Sequence, residues 1–179
     1  MPGKPRLLLL DANAVFAAYE VGAWEVLCSA YQVVVPSVVV RQEAQFYIDP
    51  ATRLRQEIDL PAERDAGKLD EFEGTAAQLA AVLTRFTQSF RAGLDAGEIE
   101  ALAYLLHEDT TDLVFVTADA TAVIAVAMLG LSEHAMCLAD VLDRCGYRKR
   151  LPYRHGPEFF KRYLEEGRQR FVTGDGLVR

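Results

Sequence analysis

Four acidic residues stand where a chain of alternating strands and helices would gather them: Asp11, Glu43, Glu98 and Asp119. Asp11 closes an apolar run, and Asp119 follows a second one, Leu113–Thr117, at a distance of two residues. Ligands of open parallel sheets bind beyond the carboxyl ends of the strands, so acids at two strand ends share one rim. Glu43 follows a third, β-branched run, and Glu98 sits in the first turn of a predicted helix. Helices that follow strands start at that same rim. Several carboxylates cannot all stay ionised in a poorly solvated cleft unless a cation compensates. Their hard oxygens suit Mg²⁺ or Mn²⁺. His107, His134 and His155 show no HExxH spacing, and Cys28, Cys137 and Cys145 form no CxxC pair, so oxygen would have to hold any metal. Each acid also has a structural alternative. Asp11, Asp95 and Asp119 suit helix caps, Glu98 suits the reciprocal partner of Asp95, and Glu43 suits a solvated helix position beside Arg41 and Gln42.

The elements that must position these acids follow from periodicity. Arg6–Leu10, Gln32–Val35 and Leu113–Thr117 predict buried strands, with Ala135–Leu138 as a short fourth. Helices are expected over Ala14–Tyr19, Ala23–Tyr31, Thr75–Phe90, Asp95–His107, from Asp119 to about Leu129, Ala139–Cys145 and Pro157–Arg170. Ser37 looks like the N-cap of a helix running to about Ile48, where Asp49-Pro50 ends it. The polar stretch 51–74 suggests a small hairpin of Arg55–Leu60 with Lys68–Phe72, and the Gly174-Asp175-Gly176 tail is expected to fray. Strands alternating with helices predict an α/β fold, a three-layer α/β/α sandwich on a mainly parallel central sheet.

A chain of 179 residues, half of them apolar, is long enough to bury one ordinary core. No apolar run approaches the roughly 20 residues that span a bilayer, and Leu7–Leu10 is too short for a secretory core, so a cytoplasmic location with reduced thiols is expected. The net charge of −7 is unevenly spread: residues 144–179 carry ten Lys/Arg against four Asp/Glu, leaving nine against 22 in the rest. An acidic body thus carries a basic C-terminal segment.

With those residues in place the chain resembles the PIN-domain nucleases, and among them the VapC-like branch. Leu8-Leu9-Leu10-Asp11-Ala12-Asn13 is similar to the family's first motif, a strand ending in Asp with a small polar residue two positions on. Val35-Pro36-Ser37 followed by Glu43 is similar to the second. Leu94-Asp95-Ala96-Gly97-Glu98-Ile99-Glu100-Ala101 resembles the Gly-Glu form of the third, and Val116-Thr117-Ala118-Asp119 the fourth. The resemblance covers residues 6 to about 142 and implies a PIN-like catalytic domain over 1–147, with 51–74 as a polar insertion. Residues 148–179 form a basic extension of the same domain. Both the insertion and the extension depart from a minimal toxin-like member.

What the resemblance implies is a divalent-metal-dependent ribonuclease, possible partners being an antitoxin protein or a second copy of the chain. In that reading Asp11 is the central ligand to Mg²⁺ or Mn²⁺, with Glu98 and Asp119 completing the shell and Glu43 orienting a water or a second ion. Asn13, Asp95 and Thr117 are expected to hold the carboxylates by hydrogen bonds. Arg148, Lys149, Arg150 and Arg154 are candidates for RNA phosphates, with Tyr147 and Tyr153 placed to stack on unpaired bases. An ordinary charged loop with inward tyrosines is the structural alternative. Haloacid-dehalogenase-like phosphatases also place Asp after the first strand but need a second Asp where this chain has Asn13. A non-catalytic PIN-like scaffold and a housekeeping RNA-processing enzyme are the remaining alternatives.

Overall fold

The computed structural model describes residues 7–108 and 111–178; Arg6, the expected start of the first strand, and Arg179, the last basic residue, lie outside them. In chain order the elements are β1 (Leu7–Leu10), α1 (Ala12–Glu20), α2 (Trp24–Ala30), β2 (Gln32–Pro36), one π-helical turn (Val39–Glu43), β3 (Phe46–Ile48), β4 (Arg55–Glu57) and α3 (Leu60–Asp65). They continue with β5 (Leu69–Phe72), α4 (Ala76–Leu83), α5 (Gln88–Arg91), α6 (Ala96–His107), β6 (Leu113–Val116), α7 (Ala120–Met128), β7 (Ala135–Met136), α8 (Leu138–Arg144) and α9 (Pro157–Thr173).

The protein is an α/β protein whose five-stranded parallel sheet, in the order β5-β2-β1-β6-β7, is flanked by helices. β1 is four leucines because both faces of a central parallel strand are covered. Leu9 lies across the ladder from Val34 and Phe115 and joins them in a core with Ala101, Leu102, Val123 and Phe160. Leu8 and Leu10 point the other way, into a core with Val15, Trp24, Leu27 and Leu138. The period of two thus divides one strand between two cores. α7 is buried almost throughout and crosses α9 closely: a Cβ added at Gly167 would lie 2.5 Å from the Ile124 carbonyl oxygen.

Four expectations are corrected. The helix expected from Ser37 to Ile48 ends at Glu43 after a single widened turn, closed by the Ala44 N–H on the Val39 carbonyl oxygen. Ser37 caps nothing; its hydroxyl donates to Glu100 instead. Phe46–Ile48 then pairs antiparallel with Arg55–Glu57, and Asp49 starts the turn between them, its carboxylate accepting from the Ala51 and Thr52 N–H groups. The hairpin therefore lies one segment earlier than expected. Leu69–Phe72 joins the main sheet as a parallel edge strand beside β2, its Glu71 clasped by Arg41 and Arg64. An edge strand with charged side chains lacks the apolar signature that betrays a central one. The expected helix Thr75–Phe90 is two helices, broken after Leu83, and the C-terminal tail does not fray. Leu177 bridges Phe86, and the Gly176 carbonyl and Val178 N–H bond to Thr87 and Arg85.

Candidate functional site

The strand order reverses direction at β1 and β6: the chain builds outward from β1 through β2 to β5, then returns to lay β6 on the other side. Crevices of this kind, beyond the carboxyl ends of strands at a switch point, are where open α/β sheets bind ligands. Asp11 follows β1 and Thr117 follows β6, and the two side chains meet across the crevice. The Thr117 hydroxyl donates to Asp11 Oδ2 at 2.5 Å, while Asp11 Oδ1 accepts from the Ala14 N–H at 2.7 Å. Thr117 Oγ1 in turn accepts from the Asp119 N–H at 3.0 Å. Asp119 caps α7, its Oδ1 accepting from the N–H groups of Thr121 and Ala122. The capping alternative and the clustering are therefore both realised at Asp11 and Asp119.

Asp95 and Glu98 form a complete capping box on α6. Asp95 Oδ1 accepts from the Glu98 N–H at 2.8 Å, and Glu98 Oε2 accepts from the Asp95 N–H at 3.0 Å. Glu98 is only 4 % exposed. Glu43, the last residue of the π turn, comes to the first turn of the same helix: a Cβ at Gly97 would lie 2.7 Å from its Oε2. Glycine at this position leaves the room that the Glu43 carboxylate occupies. One-turn π segments occur often at functional sites because they re-aim a side chain that a regular helix would hold elsewhere.

The acids feel one another. Burial pushes the Asp11 carboxyl up to about 7 despite its two hydrogen bonds, with the Asp95 and Asp119 charges adding to the shift. Burial pushes Glu98 up to about 9, and Asp119, Asp95 and Asp11 all raise it further. Glu43 is raised as well, by burial first and then by Asp95, with the Gly97 N–H partly offsetting this. None of these acids has an ion-pair partner among the described residues. Four carboxyl groups are thus held at one rim with backbone and hydroxyl donors around them and no ion pair to offset their repulsion among the described residues.

Their oxygen chemistry fits a hard divalent ion in kind. In their present rotamers Asp11, Glu98 and Asp119 are turned to helix N–H groups, and no three His, Cys, Asp or Glu among the described residues form a ready metal-holding group. Ligation through Glu98 Oε2 requires that oxygen to leave the Asp95 N–H.

The basic candidates divide. Arg148 pairs with Asp143, and Arg148, Lys149 and Arg150 line a groove with α8 to which none of the four acids contributes. Tyr147 turns inward and donates to the Val21 carbonyl oxygen, whereas Tyr153 stays exposed with its ring edge-on to Phe159. Arg154 alone reaches the acidic rim, where it lines a cavity of about 340 Å³ with Asn13 and Glu43. Asn13 thus faces that cavity, and the hydrogen bonds that hold Asp11 come from Thr117 and Ala14.

Glu100 went unassigned in the sequence. Its buried carboxylate accepts from the Ser37 hydroxyl, the Val38 N–H and the Gly74 N–H, tying the ends of β2 and β5 to α6. The only sequence signal was a charged residue on the inward face of a helix.

No protein-family model matches the chain, and the comparison with curated proteins returns no match.

Proposed function

We propose that this protein is a divalent-metal-dependent ribonuclease built as a PIN-like three-layer α/β/α sandwich, hydrolysing phosphodiester bonds in RNA. The observation that carries the reading is the set of mutually repelling carboxyls of buried Asp11 and Glu98 and half-buried Asp119, with Glu43 beside them, at the sheet's switch point and without an ion-pair partner among the described residues. When bound, Mg²⁺ or Mn²⁺ supplies an activated water and stabilises charge on the phosphate oxygens. The chain's own residues do the positioning. Thr117 fixes the orientation of Asp11, so tying the ends of β1 and β6 together, and accepts from the Asp119 N–H. Asp95 holds Glu98 through the capping box, and the absent Cβ of Gly97 admits Glu43. Asp11, Glu98 and Asp119 are assigned as ligands, and Glu43 orients a water or a second ion.

Asp11→Asn tests the assignment. Asparagine retains an acceptor for the Ala14 N–H but removes the charge, so Mn²⁺-dependent cleavage of RNA should be abolished while the folded structure persists. Retained cleavage would sink the ligand assignment. Intact binding without cleavage by the wild type under Mg²⁺ or Mn²⁺ would favour a non-catalytic scaffold. An antitoxin partner, a second copy and a cytoplasmic setting belong to this same reading; no helix among the described residues is long and apolar enough to cross a membrane.

A further inference from the structure

The cavity beside Glu43 is bounded by elements from three distant parts of the chain. α1 contributes Asn13, Phe16 and Glu20, the β3–β4 hairpin contributes Phe46, and the turn before α9 contributes Arg154 and His155. Its volume of about 340 Å³ is at the small end of the range for pockets that enclose one small ligand. Its walls are of three kinds. Phe16 and Phe46 offer aromatic surface; Phe46 is 41 % exposed, with the Arg55 guanidinium 3.7 Å over one face of its ring. Arg154 and Glu20 are both exposed and neither has an ion-pair partner among the described residues. His155 is buried, and burial with the neighbouring Arg154 charge lowers its pKa to about 4, so at neutral pH it offers one donor and one acceptor.

We propose that this cavity seats one unpaired nucleotide of the RNA strand, its base against Phe46 and its phosphate at Arg154, and that it favours a base with an exocyclic amino group. This inference rests on the ribonuclease reading for its choice of ligand. An aromatic ring backed by a guanidinium is a stacking platform for any base, and a free arginine beside it meets the phosphate. The exposed Glu20 in the wall presents carboxylate oxygens, which accept hydrogen bonds only, so it welcomes the amino group of cytosine and repels the carbonyl oxygen that uracil has in its place. A paired base cannot enter, because its Watson–Crick edge is occupied and its faces are stacked. The proposed seat adjoins Glu43, which places the next phosphate of the strand toward the carboxylate rim.

The test measures binding apart from cleavage. Fluorescein-labelled oligocytidylate and oligouridylate of ten nucleotides are titrated with the full-length protein in EDTA at low ionic strength, followed by anisotropy, alongside a mixed-sequence strand free or annealed to its complement. Expected are tighter binding of the cytidine than the uridine strand, weak binding of the duplex, and a loss of about ten-fold in affinity for Phe46→Ala and for Arg154→Ala, with Phe46→Trp close to wild type. Light-induced crosslinking of 5-iodocytidine RNA to the unaltered protein should place the adduct on Phe16 or Phe46, a readout independent of how well any variant folds. Wild-type affinity in both alanine variants, equal binding of duplex, no cytidine preference, no binding at all, or an adduct elsewhere overturns the proposal. If the wild type cleaves RNA with Mn²⁺ while the variants bind normally, the seat is wrong and the nuclease reading stands. If the seat is verified but no metal supports cleavage, the nuclease reading falls and the seat remains.

Discussion

Gly97 sets how closely Glu43 can approach α6, and this makes it the most informative single position near the acids. Alanine there suits a helix better than glycine but would place a Cβ 2.7 Å from Glu43 Oε2 and 3.0 Å from a Val39 methyl. The mobile carboxylate gives way before the backbone does. On the proposed ribonuclease reading, Gly97→Ala should therefore lower RNA cleavage about ten-fold while shifting the melting temperature by only about 2 °C, read by paired cleavage and thermal-melt assays. A cleavage rate equal to wild type would remove Glu43 from the mechanism. The pH dependence of stability also belongs to single residues. Asp11, raised from 3.8 to about 7, and Glu98, raised from 4.5 to about 9, bind protons more tightly folded than unfolded. Their contribution is fully present below the unfolded values and is lost as pH climbs through the folded ones. In EDTA the melting temperature should fall from about pH 5 to pH 9, and Asp11→Asn or Glu98→Gln should flatten that fall. At this scale the strand-end rule placed Asp11 and Asp119, because strand ends are legible in apolar runs. The dual use of those carboxylates as caps and as a cluster was not, since a cap and a ligand show the same residue in the same place.

At the scale of elements, Glu100 acts as a staple between three segments that are distant in the chain. Its oxygens receive the Ser37 hydroxyl, the Val38 N–H and the Gly74 N–H, so both β2 and β5 are tied to α6 just past their ends. Glu100→Gln turns one acceptor into a donor facing donors, and should cost about 2–3 kcal/mol in a urea titration. A change within experimental error would mean that water replaces the carboxylate there. The same region explains where sequence reading stopped. Ser37 carries the signature of an N-cap, and nothing local shows that a glutamate 63 residues away claims its hydroxyl. Asp49-Pro50 is as good a helix stop as a hairpin turn, and only the pairing of Phe46–Ile48 with Arg55–Glu57 decides between them. The polar edge strand β5 was missed because its evidence is a register with β2, which periodicity cannot supply.

Across the whole molecule, α9 carries much of the closure, since it lies over α7 and delivers the tail back to the α4–α5 break. The contact is tight enough that Gly167 has no room for a side chain. A Cβ there would meet the Ile124 carbonyl at 2.5 Å and the Ala127 Cβ at 2.6 Å. Gly167→Val should destabilise the protein by about 3 kcal/mol through overpacking, measured by chemical denaturation. An unchanged midpoint would mean that α9 can shift away from α7 freely. The bond between Thr117 and Asp11 also sets an order of events during synthesis. The two residues are 106 positions apart, and β6 must insert beside β1 before they meet. A chain emerging from the ribosome therefore carries Asp11 and Glu43 through more than half of its length with no partner rim to complete them. Contacts this remote in sequence form late, because the loop-closure entropy is spent before any pairing offsets it. Fragments that stop short of Leu113 lack β6 and Asp119, so the full carboxylate set exists only in chains in which β6 has been laid beside β1.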